Sequence, residues 1–240
     1  MPDPLTAPPD DIRRQLHALA DPAVAAGMQR FFKTGPGEYG EGDRFLGIRV
    51  PALRRLARAH RALPLDAVLE LLRSEWHEAR LLALLVLVEQ HRRGDGRARA
   101  AIHRAYLAHA RHVDNWDLVD ASAVDLVGPH VDPGDPVLLV RLAGSGSVWE
   151  RRIAVIATFH WIRRGEFGPT LRIAEQLLHD PHDLIHKAVG WMLREVGNRD
   201  RTREEAFLAS RYHGMPRTML RYAVERFPEA RRRQYLEGRA

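Results

Sequence analysis

The stretches RLLALLV (residues 80–86), DASAVDL (120–126), RIAVIAT (152–158), KAVGWML (187–193) and RYAVERF (221–227) align without a gap. Each sets small or aliphatic residues directly behind one charged residue, and the anchors Arg80, Asp120, Arg152, Lys187 and Arg221 stand 40, 32, 35 and 34 positions apart. A self-similarity of that length marks stacked helix pairs, because one pair cannot bury its apolar face alone. The repeat predicts an all-α fold, a right-handed, solenoid-like superhelix of HEAT-like antiparallel helix pairs whose second helices line one concave surface.

Around these stretches apolar residues recur at helical spacing nearly everywhere, without the sustained alternation a strand needs. Helices are expected over 10–20, 22–34, 51–62, 66–74, 76–93, 97–112, 116–129, 135–143, 148–164, 169–179, 182–197, 202–213 and 216–235. Pro51 suits a first helical turn, Asp66 can cap a helix, and Gly94, Gly128, Gly165 and Gly197 mark ends. The connections are short and no stretch reads as a linker, so residues 1–240 are expected to form a single domain, with residues 1–9 as a flexible arm.

The 240 residues are 45% hydrophobic, enough for a sizeable core, and 28% charged. A formal net charge of +6 and an isoelectric point near 10.2 favour an anionic partner, nucleic acid ahead of a membrane surface. Arginine carries nearly all of this charge, since Lys33 and Lys187 are the only lysines. With no cysteine, disulfides, thiolate nucleophiles and Cys-ligated metal are excluded. The opening MPDPLTAPPDD is acidic and proline-rich, where a signal peptide would be basic and then apolar. The longest apolar run, Leu81 to Val88, is too short to span a bilayer, so no membrane partner is expected.

Four of the five anchors are cationic, and as equivalents Arg80, Arg152, Lys187 and Arg221 would form a basic stripe for a phosphate backbone. Asp120 is the exception, in HVDNWDLVDASA (112–123), four residues after Trp116. A carboxylate among cations weakens backbone attraction, so either something else happens there or Asp120 pairs with a neighbouring Arg or favours a helix N-terminus. Trp116, Trp149 and Trp191 each flank an anchor. An indole beside a cationic groove can stack on a base, a sugar or a cation, whereas Trp76 and Trp161 read as core.

The stretches NWDLVD, VWERRIAVI and HKAVGWMLREVG, in this order on a helical repeat, resemble the AlkD-type DNA alkylation-repair glycosylases from about Met28 to Phe227. The resemblance implies hydrolysis of the N-glycosidic bond of cationic N3- or N7-alkylated purines, with the damaged base left stacked. It places Trp116, Asp120, Arg152 and Trp191 at the lesion. Such a base is already a good leaving group, so the burden falls on the sugar, which develops oxocarbenium character. A fixed carboxylate at Asp120 would stabilise that charge and could orient water, the indoles of Trp116 and Trp191 would meet the base or sugar edge, and Arg152 would hold the adjacent phosphate. Trp149 and Phe31 are further candidates for lesion or sugar contact. Phe31 stands where the family's usual form carries a tyrosine.

The segment GPGEYGEGDRFLG (35–47) lacks GK[ST] and is acidic, so it is no nucleotide cradle. It is expected to be an ordered surface connection packed by Phe45 and Leu46, or else a lid carrying Tyr39. His182 and His186 have i,i+4 spacing but no HExxH around them, and neither metal nor cofactor is expected. The C-terminal RRRQYLEGRA is expected to be a solvated helix end. Taken with the resemblance, the expectation is a monomeric, cytoplasmic base-excision enzyme that joins the nucleoid when bound to double-stranded DNA containing alkylated purines. A non-catalytic DNA binder or a protein-interaction scaffold are the alternatives.

Overall fold

The computed structural model describes residues 9–240, and the flexible arm expected over residues 1–9 lies outside them save for Pro9, where the first helix begins. Regular structure among the described residues is helical, with one isolated bridge between Arg44 and Trp76. The chain forms two compact units, one up to Leu126 and one from Val127. The first holds α1 (Pro9–Ala18), α2 (Pro22–Phe31), α3 (Val50–Ala59), α4 (Leu65–Leu72), α5 (His77–Arg93), α6 (Gly96–Ala108), α7 (Trp116–Asp120) and α8 (Ala123–Leu126). The second holds α9 (Val137–Ala143), α10 (Val148–Ala157), α11 (Phe159–Ile162), α12 (Gly168–Gln176), α13 (Asp183–Gly197), α14 (Arg201–Ala209), α15 (Arg217–Ala223) and α16 (Glu229–Leu236). The all-α expectation holds.

In the first unit α5 is the axis. Its residues from His77 to Val88 are all buried, because α3, α4, α6 and α8 pack around it. A helix apolar on every side belongs in a core, and that is where the run from Leu81 to Val88 goes. No helix among the described residues is long and apolar enough to cross a membrane. In the second unit α13 has the same role, contacting α10, α12, α14 and α15. The anchors Arg152, Lys187 and Arg221 therefore ride on three helices packed in succession, α10 on α13 and α13 on α15.

Several expected helices break, each for a local chemical reason. The one expected over 116–129 is α7, α8 and a 3₁₀ turn at Gly128–His130. Ser122 bonds back to the Leu118 carbonyl at 2.6 Å, a competition with the backbone ladder that bends helices. The helix expected over 148–164 divides at Thr158, whose hydroxyl takes the Val155 carbonyl at 2.7 Å. The helix expected over 216–235 is α15, a 3₁₀ turn and α16, separated at Pro228, which has no N–H to continue the ladder. Asp66 lies in the first turn of α4 while Pro64 holds the cap position.

The closest helix contact in the second unit, α13 against α15, depends on Gly190. A Cβ there would sit 2.4 Å from the Met219 carbonyl oxygen and 2.5 Å from the Tyr222 Cβ. Gly190→Val is expected to push α15 off α13 and to cost about 1–3 kcal/mol, as overpacking does. Faster amide exchange in α15 than in α5 would register the loss, and unchanged exchange would contradict it.

Candidate functional site

Asn115 starts the site. Its side chain accepts from the Trp116 N–H at 2.8 Å, capping α7, and its amide donates to Asp43 Oδ2 at 3.1 Å. Asn115 is fully buried, so the first turn of α7 is fixed to the loop over 35–47. Trp116 is half-buried and stacks on Phe32 at 5.1 Å and 18°; Phe32 stacks on Phe45 at 4.9 Å, and Phe45 on His77 at 4.3 Å. Phe31, 65% exposed, meets the Trp116 ring edge-on at 5.9 Å. Sequence reading chose Phe31 and Trp116, and the fold brings them together.

Beneath the aromatic column lies a buried charge network that sequence reading missed. His77 places Nδ1 2.7 Å from Asp43 and Nε2 2.9 Å from Asp117, and its side chain is 2% exposed. Burial alone would lower the His77 pKa, but the hydrogen bonds and charges of Asp117 and Asp43 push it up to about 9. Burial likewise works against the Asp43 carboxylate, yet His77, Arg80 and Asn115 hold it below its ordinary pKa. Next to His77, the buried Glu78 accepts the N–H groups of Leu46, Gly47 and Ile48 at 2.7–3.1 Å. Gly47 has φ +87, and a Cβ there would lie 2.1 Å from the Asp21 carbonyl oxygen.

The 35–47 loop is thus tied down at its end by Leu46 and Gly47 on Glu78 and by Phe45 on His77 and Phe32. Two of its acidic residues turn onto its own backbone, Glu38 accepting from Gly35 and Glu41 from Gly37. Tyr39 is half-buried, with its hydroxyl 3.5 Å from the Phe31 carbonyl.

Arg80 requires a correction. It was expected on a phosphate-facing stripe, but it is 5% exposed, pairs with Asp43 at 2.8 Å and stands 3.2 Å from Asp114. It also donates to the Ser74 carbonyl at 3.1 Å. Its guanidinium is committed to the fold, because a buried cation needs its partners at hand. Trp76, expected in the core, is half-buried with the Arg44 guanidinium 4.4 Å above its ring.

Asp120 is half-buried and is the last residue of α7. Asp117 in the first turn of α7 fits the suggestion of a helix N-terminus, whereas Asp120 stands at the other end of α7, just before α8 begins at Ala123. Asp120 lies close enough to Tyr106 for its charge to add to burial in raising the Tyr106 pKa. Tyr106 is fully buried with its hydroxyl 3.1 Å from Ser122 Oγ.

The other candidates are in the second unit. Arg152 is 5% exposed, and its Nη1 donates to the Leu184 carbonyl at 2.8 Å, so this anchor too is turned inward. Lys187 is 41% exposed in its side chain and pairs with Asp183 at 2.6 Å. Arg221 is exposed. Trp149 in the first turn of α10 and Trp191 on α13 are half-buried, with Trp191 6.5 Å from the Phe159 ring. His182 caps α13 through Leu184 N–H, and His186 Nε2 lies 2.5 Å from the Asp180 carbonyl.

The model of the DNA alkylation repair enzyme family matches residues 12–227. The chain belongs to that family. The match carries a role in alkylation repair, with DNA as the partner class. Among solved structures, a protein described as a predicted DNA alkylation repair enzyme from Enterococcus faecalis superposes with a TM-score of 0.68 at 17% identity, covering 88% of this chain and 97% of its own. At that identity the likeness speaks for the fold. None of the curated proteins compared with the chain matches it.

In this repair-family protein Arg80→Ala removes the buried partner of one Asp43 oxygen and leaves Asp43 to His77 and Asn115. It is expected to destabilise the fold by about 3–5 kcal/mol, as breaking a buried pair does. Thermal melting checks this, and a melting temperature within a degree of wild type would return Arg80 to the surface.

Proposed function

We propose that the protein is a DNA glycosylase that hydrolyses the N-glycosidic bond of cationic N3- or N7-alkylated purines in duplex DNA, acting as a monomeric single repeat domain in the cytoplasm. The observation that carries the reading is α7, whose first residue is an indole held on a buried aromatic column and whose last is a half-buried carboxylate. In this reading the half-buried face of Trp116 and the exposed Phe31 ring meet the sugar edge or the cationic base. As the C1′–N bond breaks, its electron pair neutralises the purine and positive charge grows on the deoxyribose. Asp120 faces that charge, stabilising the transition state more than the ground state. Water then adds to C1′ and gives its proton to Asp120 or to solvent.

Trp191 and Trp149 are proposed as further contacts along the DNA. The phosphate contacts come from Lys187 and Arg221 and, in the first unit, from the exposed Arg49, Arg54, Arg55 and Arg58 at the start and along α3. Arg152, spent on the Leu184 carbonyl, would reach a phosphate only after changing rotamer.

Free base released from methylated duplex DNA tests the reading. N7-methylguanine and N3-methyladenine should appear while uracil and hypoxanthine stay in place, since no acid is assigned to activate a neutral leaving group. Asp120→Asn should lower single-turnover release on the order of 10²–10³-fold with affinity held or raised and melting nearly unchanged. Normal release by the folded variant would remove Asp120 from the chemistry, and duplex binding without release by wild type would favour a non-catalytic binder.

Phosphate binding makes a second expectation. Lys187→Ala and Arg54→Ala should each flatten the log–log dependence of duplex affinity on salt by about 0.9, the share of one neutralised phosphate. Affinity that does not depend on salt in the wild type would favour a protein-interaction scaffold.

A further inference from the structure

We propose that His77 is a positioning residue for the lesion-contacting helix: clamped between Asp43 of the 35–47 loop and Asp117 of α7, it holds the first turn of α7 so that Trp116 stays flat on Phe32. The proposal rests on the reading of α7 as the helix that meets the lesion. Four observations carry it. Both ring nitrogens of His77 lie on carboxylates of different segments, at 2.7 and 2.9 Å. Asp117 directly follows Trp116, while Asp43 also takes the amide of Asn115, the residue directly before it. His77 closes the far end of the column through Phe45 at 4.3 Å and lies 5.2 Å from Phe32, the ring under Trp116. The side chains of His77 and Asp43 are 2% and 6% exposed, so solvent does not relieve the clamp if it opens.

The clamp is charge-dependent. With the imidazole protonated, both nitrogens donate and both carboxylates are satisfied; with it neutral, one nitrogen becomes an acceptor facing an anion. The groups facing His77 are Asp43 from the loop and Asp117 from α7. On its own helix Glu78 is directed to the loop amides, and Arg80 satisfies the other oxygen of Asp43 beside Asp114. The folded pKa, near 9, stands above the ordinary value of 6.5. The clamp is therefore whole below about pH 6.5 and is lost as pH rises through about 9.

The test follows Trp116 and base release together. Acrylamide quenching, taken as the difference between the protein and Trp116→Phe, reads Trp116 exposure from pH 6 to 10.5. Single-turnover N7-methylguanine release, corrected for release without protein, is measured over the same range. Wild type is expected to gain Trp116 quenching and lose release through one inflection near pH 9. His77→Gln should be flat over this range, with Trp116 loosened at pH 7 and release down roughly 10- to 100-fold, the scale of a small misplacement at a reacting centre. Asp117→Asn, which keeps His77 on Asp43, should move the inflection to lower pH and covers the case in which His77→Gln fails to fold. Wild-type quenching without an inflection, or an unchanged inflection in Asp117→Asn, would overturn the proposal. Absence of release by wild type at every pH would overturn the glycosylase reading alone, since the quenching titration still decides the clamp.

Discussion

His77 carries a positive charge in a place that would refuse one alone. An isolated imidazolium with 2% exposure would lose its proton, and burial works against the Asp43 carboxylate beside it. His77 and Asp43 each supply what burial removes from the other, and Arg80 pairs with the far oxygen of Asp43. The shape of the first unit around α7 follows from this arrangement. The loop over 35–47 lies down because Asp43 must reach His77 and Arg80, and because Glu78 must take three backbone N–H groups that the turn at Gly47 leaves unpaired. Such a network is exacting: fully satisfied it fixes one geometry, and partly satisfied it costs more than an apolar core.

Two electrostatic environments result, and they divide the polar residues into those that hold the fold and those available to a ligand. Arg80 and Arg152 sit at equivalent repeat positions at the edge of apolar helix faces, and both turn inward, one to carboxylates and one to the Leu184 carbonyl. Lys187 and Arg221 at the corresponding positions are more exposed. The second unit has its own tie at the mouth of α13, where Arg151 binds Asp180 at 2.6 Å with the Asp180 side chain 4% exposed. Among the exposed cations of the first unit are Arg54, Arg55 and Arg58 of α3, whose buried residues are Leu53 and Ala57.

Stacked repeats put function on side chains that the stacking does not consume. Asp120 stands apart from the other anchors. It closes the five-residue helix α7, and in sequence it occupies the anchor position that the other aligned stretches fill with a cation. A carboxylate at that position weakens attraction for a phosphate backbone, where a cation would strengthen it.

The all-helical architecture was legible because it is written in local terms: apolar residues at helical spacing, prolines and glycines at the ends, and a charged anchor recurring every 32 to 40 residues. The α7 pair Trp116 and Asp120 was legible for the same reason, since residues four apart on one helix share a face. Helix breaks at Ser122 and Thr158 were not, because a hydroxyl that bends a helix and one that decorates it look alike until its partner is known. The charge network was invisible in sequence. Asp43 and Asp117 lie 34 and 40 residues from His77, and no periodicity links a loop carboxylate, a helix-start histidine and a first-turn aspartate. Only tertiary packing could decide that Arg80 is a buried counter-ion and not a phosphate contact. A guanidinium's role depends on what lies within about 4 Å of it, and that distance is fixed by how helices stack, not by the order of residues along them.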